Sequence, residues 1–182
     1  MLNFQRFAAS LLLILSCSAI AEEVELVVAV EKNGDGFTVS ASATVQAPVP
    51  VTWAVLTDFN HMASILSNLT TSKVLQHNGN SLRILQEGRA WYGPFFYTFS
   101  SERDVRLEPM KRILSQQLTG TTKHFASQME LSPKGTGTQL RYHAEIIPGS
   151  SMARTFGRTF VQHEVEEQLS AMLAEISRQN AL

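Results

Sequence analysis

The chain has 182 residues, about the length of one domain, with 44% hydrophobic and 17% charged residues and a formal net charge of −1. This balance excludes an intrinsically disordered chain, and the single cysteine excludes a scaffold held by disulfides. Because no excess of basic residues is available to neutralise phosphates, we expect no nucleic acid partner.

The N-terminal segment has the features of a secretory signal peptide. Arg6 is followed by an apolar run over 7–15 and then by small residues that end at Ala21. This order predicts cleavage after Ala21, export (in a bacterium, to the periplasm) and a single mature domain over 22–182. Two alternatives stay open. In the first, the apolar run is a membrane anchor, although it is shorter than the ~20 apolar residues that a spanning helix needs. In the second, Cys17 is lipidated instead of being removed with the signal peptide.

The first predicted elements of the mature chain are two strands that form a hairpin. Residues 24–30 are rich in apolar, β-branched side chains, and residues 37–45 alternate between apolar and polar ones. A period of two with one apolar face is typical of a half-buried strand. The Asn-Gly-Asp-Gly sequence at 33–36 is a strong turn signal, so we expect the two strands to pair.

Two short helices are predicted after this hairpin. Pro48 and Pro50 end the second strand, and proline is favoured in the first turn of a helix. Residues 51–59 then carry an apolar stripe at helical spacing, and we expect a second short helix over 61–66.

A long antiparallel meander is predicted up to Ile147. Turn signals interrupt the sequence between runs of about seven to twelve residues, as a series of hairpins requires. In the last run, the residues from Leu140 to Ile146 alternate between an apolar and a charged face. The predicted turns lie at 77–80, 92–94, 108–111, 120 and 134–137.

One long amphipathic helix is predicted at the C-terminal end. The Pro-Gly-Ser-Ser sequence at 148–151 breaks the sheet, and a serine there can cap a helix. We expect the helix over 152–178, which is about 40 Å long at ~1.5 Å per residue. Its apolar stripe comprises Phe156, Phe160, Val161, Val165, Leu169, Met172, Leu173 and Ile176.

The order of these elements resembles the START-like superfamily, also called SRPBCC or the helix-grip fold. Residues 47–59, APVPVTWAVLTDF, resemble the opening helix of its polyketide cyclase/dehydrase and lipid-transport family, which includes coenzyme Q-binding START proteins. The resemblance covers about 37–178, and it departs at 60–63, where the family often has a proline. It implies an α+β fold, in which a bent antiparallel sheet wraps around the long C-terminal helix and the two short helices close one end.

The resemblance also implies a function. We expect an exported binding protein that holds an apolar or amphipathic small molecule (lipid, quinone or polyketide-like) in a cavity between sheet and helix. Arg89 would anchor an anionic head group, and Tyr142 would offer a hydroxyl. The expected ligand contacts are Arg89, Trp91, Phe95, Tyr97, Phe99, Leu118, Tyr142 and Phe160.

Purely structural interpretations of the same residues stay open. The aromatic cluster around Gly93 is also typical of ordinary core and hairpin packing, and an outward-facing Phe96 would suggest contact with a membrane or a partner. Arg89 and Arg103 instead fit a charge ladder on the wet outer face of the sheet. Asp58 and His61 form either an acid/base pair or an ordinary surface pair.

No motif in the sequence predicts a catalytic residue, a cofactor or a metal. The sequence 163–167, HEVEE, begins like a zinc-protease helix but has Glu167 where the second histidine belongs. An enzyme of the cyclase or dehydratase type stays an alternative, with Arg89, Tyr97, Tyr142 and His61 as its candidate groups. A protein-interaction module with a filled interior is the third possibility.

Overall fold

The computed structural model describes residues 25–149 and 157–182. The predicted signal peptide, the lipidation alternative at Cys17 and the start of the predicted C-terminal helix, with Phe156, lie outside the described residues. In the described part of the chain, no helix is long and apolar enough to cross a membrane.

Eight antiparallel strands form one open sheet. Its order is β1-β2-β8-β7-β6-β5-β4-β3, so β1 and β3 are its two edges. The strands are β1 Leu26–Asn33, β2 Gly36–Val45, β3 Leu69–Asn78, β4 Ser81–Tyr92, β5 Phe95–Glu108, β6 Arg112–Gly120, β7 His124–Lys134 and β8 Gly137–Ile147. Each predicted turn is confirmed. At Gly34 and Gly79 the backbone has a φ of 55° and 57°, a conformation that glycine adopts without strain.

Helices cover one face of this sheet. Helix α1 spans Val49–Thr57, α2 spans Met62–Ile65 and α3 spans Gly157–Asn180. The segment with α1 and α2 carries the chain from β2, near one edge, to β3 at the other. Helix α3 packs against β1, β2, α1 and α2. The predicted helix-grip architecture is therefore confirmed.

The alternation of side chains along each strand determines the inner face. On β2, Val39 and Val45 are buried, whereas Ser40 and Ser42 between them are exposed. On α3, the buried positions lie on the predicted apolar stripe, with one charged addition, Glu164. Sheet and helices thus meet through apolar side chains, and the bend of the sheet leaves space between them.

Candidate ligand-binding cavity

A cavity of about 280 Å³ lies between the inner face of the sheet and the helices. This volume is close to the lower end of the range for small-molecule sites, roughly 300–1,000 Å³. Its wall is mostly apolar and draws on the strands and on all three helices. Representative apolar lining residues are Leu56, Met62, Ile84, Phe99, Met129 and Met172.

Four of the eight expected ligand contacts line this cavity. Tyr97 and Phe99 face it from β5, Tyr142 from β8 and Phe160 from α3. A fifth expected contact, Phe95, begins β5, and its side chain is not among those that the structure describes. The predicted aromatic wall is thus present on β5, where residues two apart share a face.

Three expected contacts lie outside the cavity wall, and strand alternation explains why. On β4, Ala90 is buried and lines the cavity, so its exposed neighbours Arg89 and Trp91 face outward. On β6, Gln117 lines the cavity, so Leu118 beside it faces solvent and is 45% exposed. The expectation that Arg89 anchors a ligand inside the cavity was wrong for this reason.

The outward-facing aromatic residues form a small surface pair. Trp91 and Phe96 lie opposite each other on β4 and β5, with ring centroids 5.3 Å apart, and both are more than half exposed. The guanidinium of Arg89 lies 5.7 Å from the centre of the Phe96 ring. We call these three residues the outer aromatic patch.

The cation inside the cavity is Arg103. It shares the inner face of β5 with Val105, which is buried, so its expected place on the outer face was wrong. Nη2 of Arg103 donates a hydrogen bond to Oε1 of Gln86. Nε2 of Gln86 donates to Oγ of Ser72 over 3.0 Å, and this hydroxyl donates to the Phe59 carbonyl oxygen over 2.5 Å. A chain of buried hydrogen bonds therefore fixes the guanidinium.

Two aromatic side chains accompany Arg103. Its guanidinium carbon lies 5.4 Å from the centre of the Phe125 ring. Burial lowers the pKa of Arg103, and the nearby Tyr142 partly offsets this effect. Burial raises the pKa of the Tyr142 phenol, against the opposing effects of Arg103 and of a hydrogen bond with Ser127. Tyr142 is therefore a neutral hydrogen-bonding group at physiological pH.

A second ionisable group, Glu164, enters the cavity wall from α3. Its carboxylate oxygen Oε2 accepts a hydrogen bond from Nδ2 of Asn68 over 3.0 Å. Burial raises the pKa of Glu164; the bond from Asn68 opposes the rise, nearby Glu167 adds to it, and His163 opposes it. The environment therefore favours the neutral carboxyl more than water does.

Glu164 also belongs to a polar cluster on the surface of α3. His163, Glu164 and Glu167 each place one potential ligand atom within 4.8 Å of the others. Hydrogen bonds already engage both carboxylates, since Oγ of Ser67 donates to Glu167 over 3.0 Å and Asn68 donates to Glu164. These bonds connect α3 to the residues before β3.

The Asp58–His61 pair lies on the surface. Nδ1 of His61 is 2.8 Å from Oδ1 of Asp58, with the two side chains 75% and 46% exposed. Neither residue is among those that line the cavity, whereas Phe59 between them is. This geometry fits the surface pair and gives no support to an acid/base pair at the cavity.

Sequence reasoning missed the cavity's main polar groups, Gln86, Arg103 and Glu164. The sequence holds a signal for two of them, Arg103 and Glu164. Val105 is apolar, and its inward position requires Arg103, two residues earlier on the strand, to face the same way. Glu164 lies four residues after Phe160, on the apolar stripe of the helix.

The open sheet, the long C-terminal helix and the cavity between them are the helix-grip fold of START-like proteins. The chain belongs to the family described as polyketide cyclase / dehydrase and lipid transport, whose sequence model matches residues 36–177. No curated protein matches the sequence.

Solved structures with the same fold have low sequence identity to this chain. A STAR-related lipid transfer protein from Xanthomonas axonopodis has a TM-score of 0.70 at 13% identity, and the match covers 86% of this chain and 94% of that one. The Zhui aromatase/cyclase from Streptomyces sp. R1128 has a TM-score of 0.65 at 20% identity, covering 78% and 94%. A START superfamily protein from Mycobacterium smegmatis has a TM-score of 0.64 at 12% identity, covering 78% and 97%.

Proposed function

We propose that this protein binds an apolar or amphipathic small molecule, such as a lipid, a quinone or a polyketide-like compound, in the cavity between sheet and α3. The observation that carries the proposal is the cavity of about 280 Å³ itself, with its mostly apolar wall. Its modest volume favours a compact ligand. A protein-interaction module with a filled interior would not need this space.

Extraction of the native protein tests this proposal. The mature domain is purified from its native compartment and analysed by native mass spectrometry, and its bound compounds are then extracted into organic solvent. We expect a stoichiometric lipid, quinone or related molecule. A protein that is consistently empty, and that binds none of these compounds when they are added, would contradict the proposal.

A matched pair of variants locates the binding site. Met172→Trp places a larger side chain in the cavity wall, whereas Leu118→Trp makes a comparable change on the outer face of the sheet. We expect the first variant to lose the extracted ligand and the second to retain it. Thermal unfolding of both shows whether the lost ligand reflects a blocked cavity or an unfolded domain.

An enzyme of the cyclase or dehydratase type is the second candidate function. It is favoured by two ionisable groups in the cavity wall, the Tyr142 phenol and the Glu164 carboxyl with its raised pKa. Tyr97 also lines the cavity, whereas the other sequence candidates, Arg89 and His61, do not. Incubation with a synthetic poly-β-ketone chain tests this function. Cyclised product that Glu164→Gln abolishes would support it, and unchanged substrate would contradict it.

We also propose that the protein is exported and touches a membrane transiently. Support for export comes from the N-terminal sequence that ends at Ala21, and a mature N-terminus at Glu22 would establish cleavage.

Support for membrane contact comes from the outer aromatic patch, because tryptophan and a cation both favour the interface of anionic lipids. Replacing Trp91 and Phe96 together with Ala should reduce co-sedimentation with anionic vesicles. The control Leu75→Ala, at another exposed apolar residue, should not.

A further inference from the structure

We propose that the cavity selects amphipathic acids, with the anionic group of the ligand paired to Arg103. This inference rests on the proposed function, because it assumes that the cavity holds a small molecule. It adds the chemical class of the ligand and the residue that selects it.

Arg103 has no counter-charge among the residues that the structure describes. Within residues 25–149 and 157–182, the ion pairs closer than 4.0 Å involve other cations, and Arg103 takes part in none of them. The hydrogen bond from its guanidinium goes to the neutral amide of Gln86, and its buried Nε has no hydrogen-bond partner in the described part of the chain. Arg103 is half-buried, and withdrawing a cation from water without a nearby anion is unfavourable, so a ligand that supplies the anion gains the interaction that the protein lacks.

The surroundings of Arg103 position its guanidinium without neutralising it. Ile84, directly across from Arg103 on β4, and Val105, two residues along β5, are 0% and 1% exposed. Phe125 faces the cation with its ring, and Gln86 holds one nitrogen. Charges attract each other more strongly in such apolar surroundings than in water, and the fixed guanidinium loses little freedom when it binds a carboxylate.

Further hydrogen-bond donors lie beside Arg103. Ser115 lines the cavity from β6, diagonally across from Arg103, and its buried hydroxyl has no hydrogen-bond partner among the described residues. The hydroxyl of Tyr142 lines the same cavity and interacts electrostatically with Arg103. The cavity's carboxyl, Glu164, lies on the opposite wall, on α3, where Asn68 engages it. Donors are therefore gathered on the sheet side, where an acidic group would bind.

A matched series of probes tests the inference on the full mature domain. Decanoate, decanamide and decanol share the same alkyl chain, but only decanoate carries a charge at neutral pH. Isothermal titration calorimetry should give a dissociation constant for decanoate that is lower by about tenfold or more, as a charge-assisted hydrogen bond predicts. Arg103→Met should abolish this preference and leave decanol binding unchanged, and Arg103→Lys should retain part of it. Arg89→Met, which removes an outward-facing arginine, is the control and should retain all of it.

The outcomes separate the two proposals. Equal affinities for the three probes in the native protein would overturn the selection of acids and leave the proposed binding function intact. Failure of all three to bind, with the other lipid and quinone ligands also failing, would overturn the binding function itself. If Arg103→Met does not fold, the comparison of decanoate with decanamide in the native protein still decides.

Discussion

Single polar residues hold the cavity's charged group in place. Ser72 connects three elements, because it receives a hydrogen bond from Gln86 on β4 and donates one to the Phe59 carbonyl before α2. Ser72 and Gln86 are both buried, 6% and 9% exposed, so water cannot easily replace a lost partner. The orientation of Gln86, and through it that of Arg103, depends on this hydroxyl.

Removal of this hydroxyl should destabilise the protein. Ser72→Ala leaves Nε2 of Gln86 without its acceptor and the Phe59 carbonyl with only the longer hydrogen bond from the Met62 backbone N–H, over 3.5 Å. We therefore expect the free energy of unfolding to fall by about 1–3 kcal/mol. Urea denaturation measures this change. Ser42→Ala, at an exposed position on β2, should change stability by less than about 0.5 kcal/mol. Equal effects of the two substitutions would show that the Ser72 hydrogen bonds contribute nothing.

Glu164 should make stability depend on pH in an identifiable direction. Its pKa is raised in the folded protein, mainly by burial, so the folded state binds its proton more tightly than the unfolded state does. The contribution of Glu164 is therefore most favourable below the pKa of the unfolded chain and is lost as the pH rises through the folded pKa.

The variant Glu164→Gln isolates this contribution. We expect the free energy of unfolding of the variant to increase relative to the native protein as the pH rises from about 4 to 7, since the variant no longer loses a proton. Urea denaturation at a series of pH values measures the difference. Glu31→Gln, at an exposed site on β1, is the control. A difference that stays constant with pH would contradict the raised pKa.

At the scale of the elements, β4 shows how the sheet makes room for a cavity. Its inner face carries the small residues Gly88 and Ala90 beside the cavity. The carbonyl oxygen of Asn68 approaches Gly88 closely and accepts a hydrogen bond from the backbone N–H of Arg89 over 2.8 Å. A Cβ atom at position 88 would also lie 2.8 Å from Cζ of Phe99.

A side chain at position 88 should therefore disturb both the sheet and the cavity. Gly88→Ala pushes against the backbone of Asn68 and the ring of Phe99, and we expect a loss of about 1–3 kcal/mol in the free energy of unfolding. Denaturation by urea gives this value, and ligand titration reports any change of the cavity. Ser81→Ala, at an exposed site on the same strand, should be nearly neutral. A fully stable Gly88→Ala protein would show that Asn68 can move away.

The same strand explains which part of the architecture was predictable. Turn residues and alternating side chains are local signals, and they predicted the helices and hairpins because each element buries an apolar face. These signals did not predict which face of β4 points toward the helices. A strand that lines a cavity carries small or polar residues on its inner face, such as Gly88 and Gln86. Trp91 lies on the outer face, although a large aromatic residue is more typical of the core.

Polar cavity residues were hard to predict for a related reason. Arg103 faces the cavity and is half-buried because it shares a face with Val105, and it finds Gln86 on the neighbouring strand. That neighbour depends on the register of β4 and β5, which pairs Ile84 with Arg103. The sequence alone shows which residues of β5 alternate between the two faces. It does not show that Gln86 will lie beside Arg103 and accept its hydrogen bond. The aromatic residues Tyr97 and Phe99 were predictable because apolar area alone favours their burial.

At the scale of the whole molecule, ligand binding and folding stability are coupled. A ligand that binds only the folded state at 100 times its dissociation constant adds about 2.7 kcal/mol to the free energy of unfolding. We expect decanoate to stabilise the native protein by about this amount in urea denaturation. Met172→Trp should remove the stabilisation, and Leu118→Trp should preserve it. Stabilisation that persists in Met172→Trp would place the bound decanoate outside the cavity.

The position of α3 in the chain order determines when the proposed ligand can be enclosed. The cavity takes part of its wall from Phe160, Leu169 and Met172, which all belong to this last helix. A nascent chain that has formed all eight strands but not α3 has a cavity that is open on its helix side. It cannot yet enclose an apolar molecule. The proposed ligand can therefore be enclosed only after α3 has been synthesised and has packed on the sheet.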